Sequence, residues 1–190
     1  FTVRHQYAHA GIVITASHNP SHDNGFKAYF ADGAQLVPPH SEEVVKRYQS
    51  ITISELLPLL SSSIEKSSWN ILPTEDDLAY RAALEDAVLD PEILKKHAPK
   101  LVFTPIHGTG AIAAIPALWD HGVEVAVVDE QNQHDPNFST VISPNPENPE
   151  ALKKGIAVAV KTKADLVLAS DPDCDRIELP FEQQEENINV

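Results

Sequence analysis

Three aspartates alternate along Asp171-Pro172-Asp173-Cys174-Asp175-Arg176, directly after the apolar run Leu166-Val167-Leu168. A donor set made only of oxygen suits a hard cation such as Mg²⁺. Residues two apart in a flat strand are separated by roughly 6.6 Å, whereas oxygens sharing one Mg²⁺ each lie about 2.1 Å from it. The loop must therefore curl, and Pro172 stiffens it. Three close carboxylates repel one another, so a cation or Arg176 is needed beside them. Two other readings compete. An Asx-rich turn with solvated carboxylates needs no ion. A calcium EF-hand would use Asp171, Asp173, Asp175 and Glu182. Arg176, however, stands where that loop requires glycine, Pro172 and Pro180 lie inside it, and a strand precedes it where a helix should.

A second group is Thr15-Ala16-Ser17-His18-Asn19-Pro20, followed by Asn24-Gly25-Phe26-Lys27. Ser17 sits just past a β-branched run, in a loop tightened by Pro20 and the Asn24-Gly25 turn. His18, Lys27 and the loop amides bring donors and positive charge. Such a setting could carry a phosphoserine, whose charge of roughly −2 must be compensated. In isolation the same string also reads as a capped turn with a surface serine. A Ser-His-Asp hydrolase is disfavoured, because His18 adjoins Ser17 in sequence and no G-x-S-x-G elbow exists. A third group, Thr104-Pro105-Ile106-His107-Gly108-Thr109-Gly110, follows a strand and opens a helix, so its amides could face an anion. A plain strand–helix turn accounts for it equally well. Nine histidines raise the question of zinc, but one cysteine and no H-E-x-x-H pattern argue against it.

The elements that must position these loops are legible by periodicity. Phe1–Arg4 alternates like a strand, and Gly11–Thr15 reads as a buried strand. Lys27–Phe30 and Gln35–Val37 pair across a turn. Ser41 caps a helix through Gln49, and Thr74 caps one that places Tyr80, Leu84, Ala87 and Val88 on one face. Asp90-Pro91 starts a short helix to about His97. Strands follow at Leu101–Thr104, Val123–Val128 and Leu166–Leu168. They alternate with helices at Gly108–His121 and Glu150–Val160, the latter with Leu152, Ile156, Ala159 and Val160 inward. This order implies right-handed crossovers and a parallel sheet covered on both faces.

Composition bounds the function. The chain has 190 residues, 28 acidic and 14 basic, and a net charge of −14. That balance disfavours a nucleic-acid or anionic-membrane partner. No apolar run approaches the roughly 18 residues of a membrane span, and Phe1-Thr2-Val3-Arg4 is not read as a signal peptide. One cysteine, Cys174, fits a reducing compartment, and the expected location is cytoplasmic. The absence of Met and a start within a regular element lead us to expect a piece of a longer chain.

Taken together, the Ser17, Thr104–Gly110 and Asp171–Arg176 loops, with Ser143-Pro144-Asn145-Pro146-Glu147, resemble the α-D-phosphohexomutase family of phosphoglucomutases and phosphomannomutases. The resemblance implies an α/β fold: two mixed or parallel-sheet domains truncated at both ends. Residues 1–90 correspond to the C-terminal part of domain 1 with the phosphoserine loop, 91–100 to a linker, 101–177 to domain 2 with the metal loop, and 178–190 to an atypical, poorly ordered acidic tail. It implies that Ser17 holds a phosphoryl group and that Ser17, Asp171, Asp173 and Asp175 bind one Mg²⁺. Arg176 contacts the phosphoryl group, His18 and Lys27 flank it with Lys27 moving a proton, and His107 and Gly108 lie near the serine loop. The implied reaction shifts phosphate between C1 and C6 of a hexose, most simply glucose, with hexose 1,6-bisphosphate as intermediate and activator. A phosphopentomutase, a sugar-bisphosphate synthase or a non-catalytic metal- or anion-binding piece are the alternatives. Because the family's sugar-reading loops lie in domains absent here, the chain alone is expected to be inactive.

Overall fold

The structure is a computed structural model that describes residues 1–61 and 70–180. The expectation of a poorly ordered tail therefore falls, from residue 181 onward, outside the described residues. The chain divides into two compact units: residues 1–14 with 26–82, and residues 15–25 with 83–190.

The first unit contains α1 (Thr2–His5), β1 (Ala10–Ile14), β2 (Phe26–Phe30), α2 (His40–Ser50), α3 (Ile53–Ser61) and most of α4 (Thr74–Glu85). β1 and β2 pair antiparallel, with Val13 opposite Lys27. A turn at Gly33 (φ 81°) brings Gln35 back against Tyr29, as the alternation predicts. Four expectations are corrected. Phe1–Arg4 is not a strand but enters one helical turn, closed by the amides of Arg4 and His5 on the Phe1 carbonyl and by stacking of Phe1 on His5. Four residues are too few to separate period 2 from period 3.6. Gly11–Thr15 is not buried: Ile12 and Ile14 are 63% and 65% exposed, because β1 pairs with β2 alone among the described residues. Ser41 and Thr74 lie inside the first turns of α2 and α4, and α2 starts from Pro39 with no side-chain cap. The helix α3, which contains Pro58, has no counterpart in the sequence reading. α4 is tied to α1 through the buried Asp76, which accepts from Gln6 Nε2 and pairs with His5 at 3.2 Å.

The second unit contains α5 (Pro91–His97), β3 (Lys100–Thr104), α6 (Ala111–Asp120), β4 (Glu124–Val127), α7 (Pro149–Thr162), β5 (Leu166–Ser170) and β6 (Ile177–Glu178). The sheet order is β4-β3-β5-β6, parallel except for β6, which runs antiparallel to β5. The period-2 alternation of β3 distributes its side chains to two layers. Leu101 and Phe103 pack with Ile115, Val123 and Leu94, toward α5 and α6. Val102 packs with Val128, Val167, Val158 and Ala159, toward α7. The stretch expected as a linker thus contains α5, capped by Asp90 on the Ile93 amide (3.2 Å), with Leu94 inside the core; the boundary between the units falls earlier, at Ala82/Ala83. α7 turns a slightly different face inward than expected. It buries Ala151, Leu152 and Gly155, while Ile156 and Val160 are exposed. Gly155 is the reason: a Cβ there would lie 2.9 Å from Val167 Cγ1, so the helix seats its glycine on β5.

Candidate functional site

The alternating aspartates occupy the turn between β5 and β6, at the carboxyl end of a central parallel strand, where ligands of α/β sheets collect. The turn curls around Asp171. Asp171 is fully buried, and its Oδ1 accepts from the amides of Asp175 (3.1 Å) and Arg176 (3.0 Å). Its carbonyl accepts from the Cys174 amide, with Cys174 at φ 61°. Carboxylate oxygens of Asp171, Asp173 and Asp175 come within 4.8 Å of one another, one buried, one half-buried and one exposed. Burial pushes the Asp171 carboxyl above the usual range. The Arg176 amide and the Ser17 hydroxyl oppose this, and the neighbouring Asp173 adds to it.

The serine loop reaches the same place. The Thr15 amide bonds the Gly25 carbonyl (3.2 Å), closing residues 15–25, and a Cβ on Gly25 would collide with the Thr15 oxygen at 2.0 Å. Ser17 stands at φ 53°, an uncommon conformation for a non-glycine residue and one that clusters at functional sites. Ser17 Oγ donates to Asp171 Oδ2 at 2.9 Å. With that proton committed, His18 Nδ1, 3.1 Å from the same oxygen, must be the donor of its own contact. The Thr15 hydroxyl accepts from the Ser17 amide (2.9 Å) and donates to Asp173 Oδ2 (3.2 Å). Two of the three aspartates are thereby held by the serine loop.

Three amides of the Thr104–Gly110 loop already have partners within the fold: His107 on Gln131 O (2.7 Å), Gly108 on Pro105 O (2.8 Å) and Thr109 on Pro172 O (3.0 Å). His107 is buried at φ 64°, and both ring nitrogens face the long loop after β4, Nδ1 on the Gln133 carbonyl (2.8 Å) and Nε2 on Thr140 Oγ1 (2.7 Å). A carbonyl only accepts, so Nδ1 carries the proton. Fully buried Gln131 links Thr104 Oγ1 (2.7 Å) to Thr140 (3.2 Å) and completes the tether. Gly108 abuts the Asp loop: a Cβ there would lie 2.3 Å from Pro172 Cα.

Residues 79–183 match the phosphoglucomutase/phosphomannomutase alpha/beta/alpha domain II family, and residues 1–55 match its domain I. The chain belongs to this family. A phosphoglucomutase of Staphylococcus haemolyticus is 38% identical over 93% of this chain and 32% of its own length. A phosphoribomutase of Saccharomyces cerevisiae is 33% identical, over 93% of this chain and 30% of its own length. A glucose 1,6-bisphosphate synthase of Homo sapiens is 35% identical, over 93% of this chain and 29% of its own length. The crystal structure of a putative phosphomannomutase from Thermus thermophilus superposes with a TM-score of 0.72 at 27% identity, covering 95% of this chain and 38% of that one. The chain thus spans about a third of the length of the curated relatives it matches.

Within this family frame, the donor set of the Asp loop fits a hard divalent cation. It is oxygen only, drawn together, and held by amides from behind, and it is the one such acidic group among the described residues. The structure brings Ser17, His18, Asp171, Asp173 and Asp175 together. It places Arg176 Nη1 on Glu147 Oε1 at 2.8 Å, and Lys27 on β2 in the first unit. Thr15, Thr109, Gln131 and Glu147 are site-supporting residues to which the sequence alone assigns no role. Thr15, Thr109 and Glu147 lie inside the motifs singled out above, whereas Gln131 lies outside all of them. Among the described residues no helix is long and apolar enough to cross a membrane.

Proposed function

We propose that this chain carries the phosphoryl-accepting part of a sugar-phosphate mutase site, with Ser17 as the acceptor. The observation that carries the reading is the 2.9 Å hydrogen bond from Ser17 Oγ to Asp171, inside the three-carboxylate cluster. Phosphoryl transfer depends on positioning and charge compensation more than on covalent activation. In the proposed step the Ser17 Oγ–phosphorus bond forms as the phosphorus–oxygen bond to the sugar breaks. Net, one proton passes from the Ser17 hydroxyl to the released sugar oxygen, with Lys27 as the proton-transfer group. His18 donates to Oγ, and Arg176 exchanges Glu147 for the phosphoryl oxygens. Asp171, Asp173 and Asp175 would hold a divalent cation, Mg²⁺ in this reading, which when bound would supply charge withdrawal from the transferring group.

The substrate in this reading is a hexose 1- or 6-phosphate, glucose first, with the 1,6-bisphosphate as phosphoryl donor, in a cytoplasmic enzyme. Relatives named for ribose, for pentose and for bisphosphate synthesis match almost equally well and favour a second reading in which the sugar or the net reaction differs. Incubation with glucose 1,6-bisphosphate and Mg²⁺ should add one phosphoryl group to the intact mass, on Ser17, and Ser17→Ala should add none. A phosphoryl group found on another residue would sink the assignment. The same chain should show no mutase turnover, and measurable turnover would overturn that part of the reading.

A further inference from the structure

We propose that Thr109 is a positioning residue for the cation site, acting through the carbonyl of Pro172. The inference rests on the reading of Asp171, Asp173 and Asp175 as that site. Pro172 separates the first two of these ligand candidates, so the direction of its carbonyl sets the plane of the peptide that carries Asp173. Two donors from one residue converge on this oxygen, the Thr109 amide at 3.0 Å and the Thr109 hydroxyl at 3.2 Å. The neighbouring backbones are pressed together: a Cβ on Gly108 would meet Pro172 Cα at 2.3 Å and its oxygen at 2.4 Å. One step further, a Cβ on Gly110 would meet Ser170 Oγ at 2.6 Å and Cys174 Sγ at 2.8 Å.

The clamp is itself anchored. The residue before Gly108 is the buried His107, fixed through Gln133 and Thr140, and the amide of Ile106 bonds Thr104 Oγ1 at 3.2 Å. Asp173 is therefore held from two sides, its carboxylate by Thr15 and its backbone by Thr109. Carboxylates that must converge on an ion gain affinity when their backbones are fixed beforehand, because less ordering remains for the binding step. Thr109 is exposed, so removing its hydroxyl opens no cavity.

The test titrates the full 190-residue chain with Mn²⁺ alone, followed by electron paramagnetic resonance of free Mn²⁺. Wild type should bind one ion, and Asp173→Asn should lose it. Thr109→Val should weaken the Kd by about threefold to tenfold, the scale of one hydrogen bond, and Thr109→Ser should restore it. The ion-free melting temperature of Thr109→Val serves as the second readout. A variant that melts lower but keeps the wild-type Kd shows a structural role and overturns the proposal. An unchanged Kd together with loss in Asp173→Asn overturns the clamp and leaves the cation reading standing. A wild-type chain that binds no Mn²⁺ at millimolar concentration overturns both.

Discussion

At Gly108 the fold leaves no room for a methyl group, and the obstacle is backbone, which cannot rotate aside. Gly108→Ala should cost about 1–3 kcal/mol, the usual cost of overpacking, read as a lower urea midpoint. An unchanged midpoint would mean that the Pro172 turn yields freely. Gly110 differs, since its close neighbours are the ends of two side chains, Ser170 and Cys174. Charge gives a second residue-scale expectation. Asp135 is lowered to about 2 by the Ser139 hydroxyl, then by the amides of Ser139 and Asn137. The unfolded chain then binds more protons than the folded one between about pH 4 and pH 2, so stability falls with falling pH across that window. Asp135→Asn should flatten this stretch of the acid-unfolding profile. A profile as steep as wild type would remove Asp135 from the account.

Elements were legible where one physical signal dominated. The β-branched and apolar runs of β3 and β5 coincide with core strands, and the aspartates after β5 stand at the end of a central strand, where chemistry concentrates. Signals failed where two structures share them. Phe1–Arg4 fits either period, and the same β-branched run lines a core or an open face, as Ile12 and Ile14 show. Gln131 and Thr140 carry no sequence mark, because their importance comes from burial and from partners in distant loops. Helix α7 offers a direct test of the shifted face. Val160→Lys should change stability by no more than about 0.5 kcal/mol, as at other exposed positions, whereas Leu152→Ala should cost about 2–5 kcal/mol. Equal effects in chemical denaturation would return Val160 to the core.

For the molecule as a whole, the net charge of −14 would misstate the sign of the ligand proposed above. Three of the acids converge on one small site, where an added cation would make the locale attractive to an anionic sugar phosphate. The remaining charge keeps copies apart. Exposed apolar residues such as Leu59, Leu60 and Trp119 would promote association once that repulsion fades. Light scattering should therefore rise as the pH approaches the sequence isoelectric point of about 4.9, and a flat trace would show that these faces do not drive association. Of the nine histidines, only His107 is buried, and its Nδ1 proton points at a carbonyl. Such a proton exchanges slowly with water and resonates far from the crowded part of a proton spectrum. The tether behind the Asp loop thereby contains its own reporter: one resolved imidazole signal whose disappearance would register the loosening of the site without any label attached.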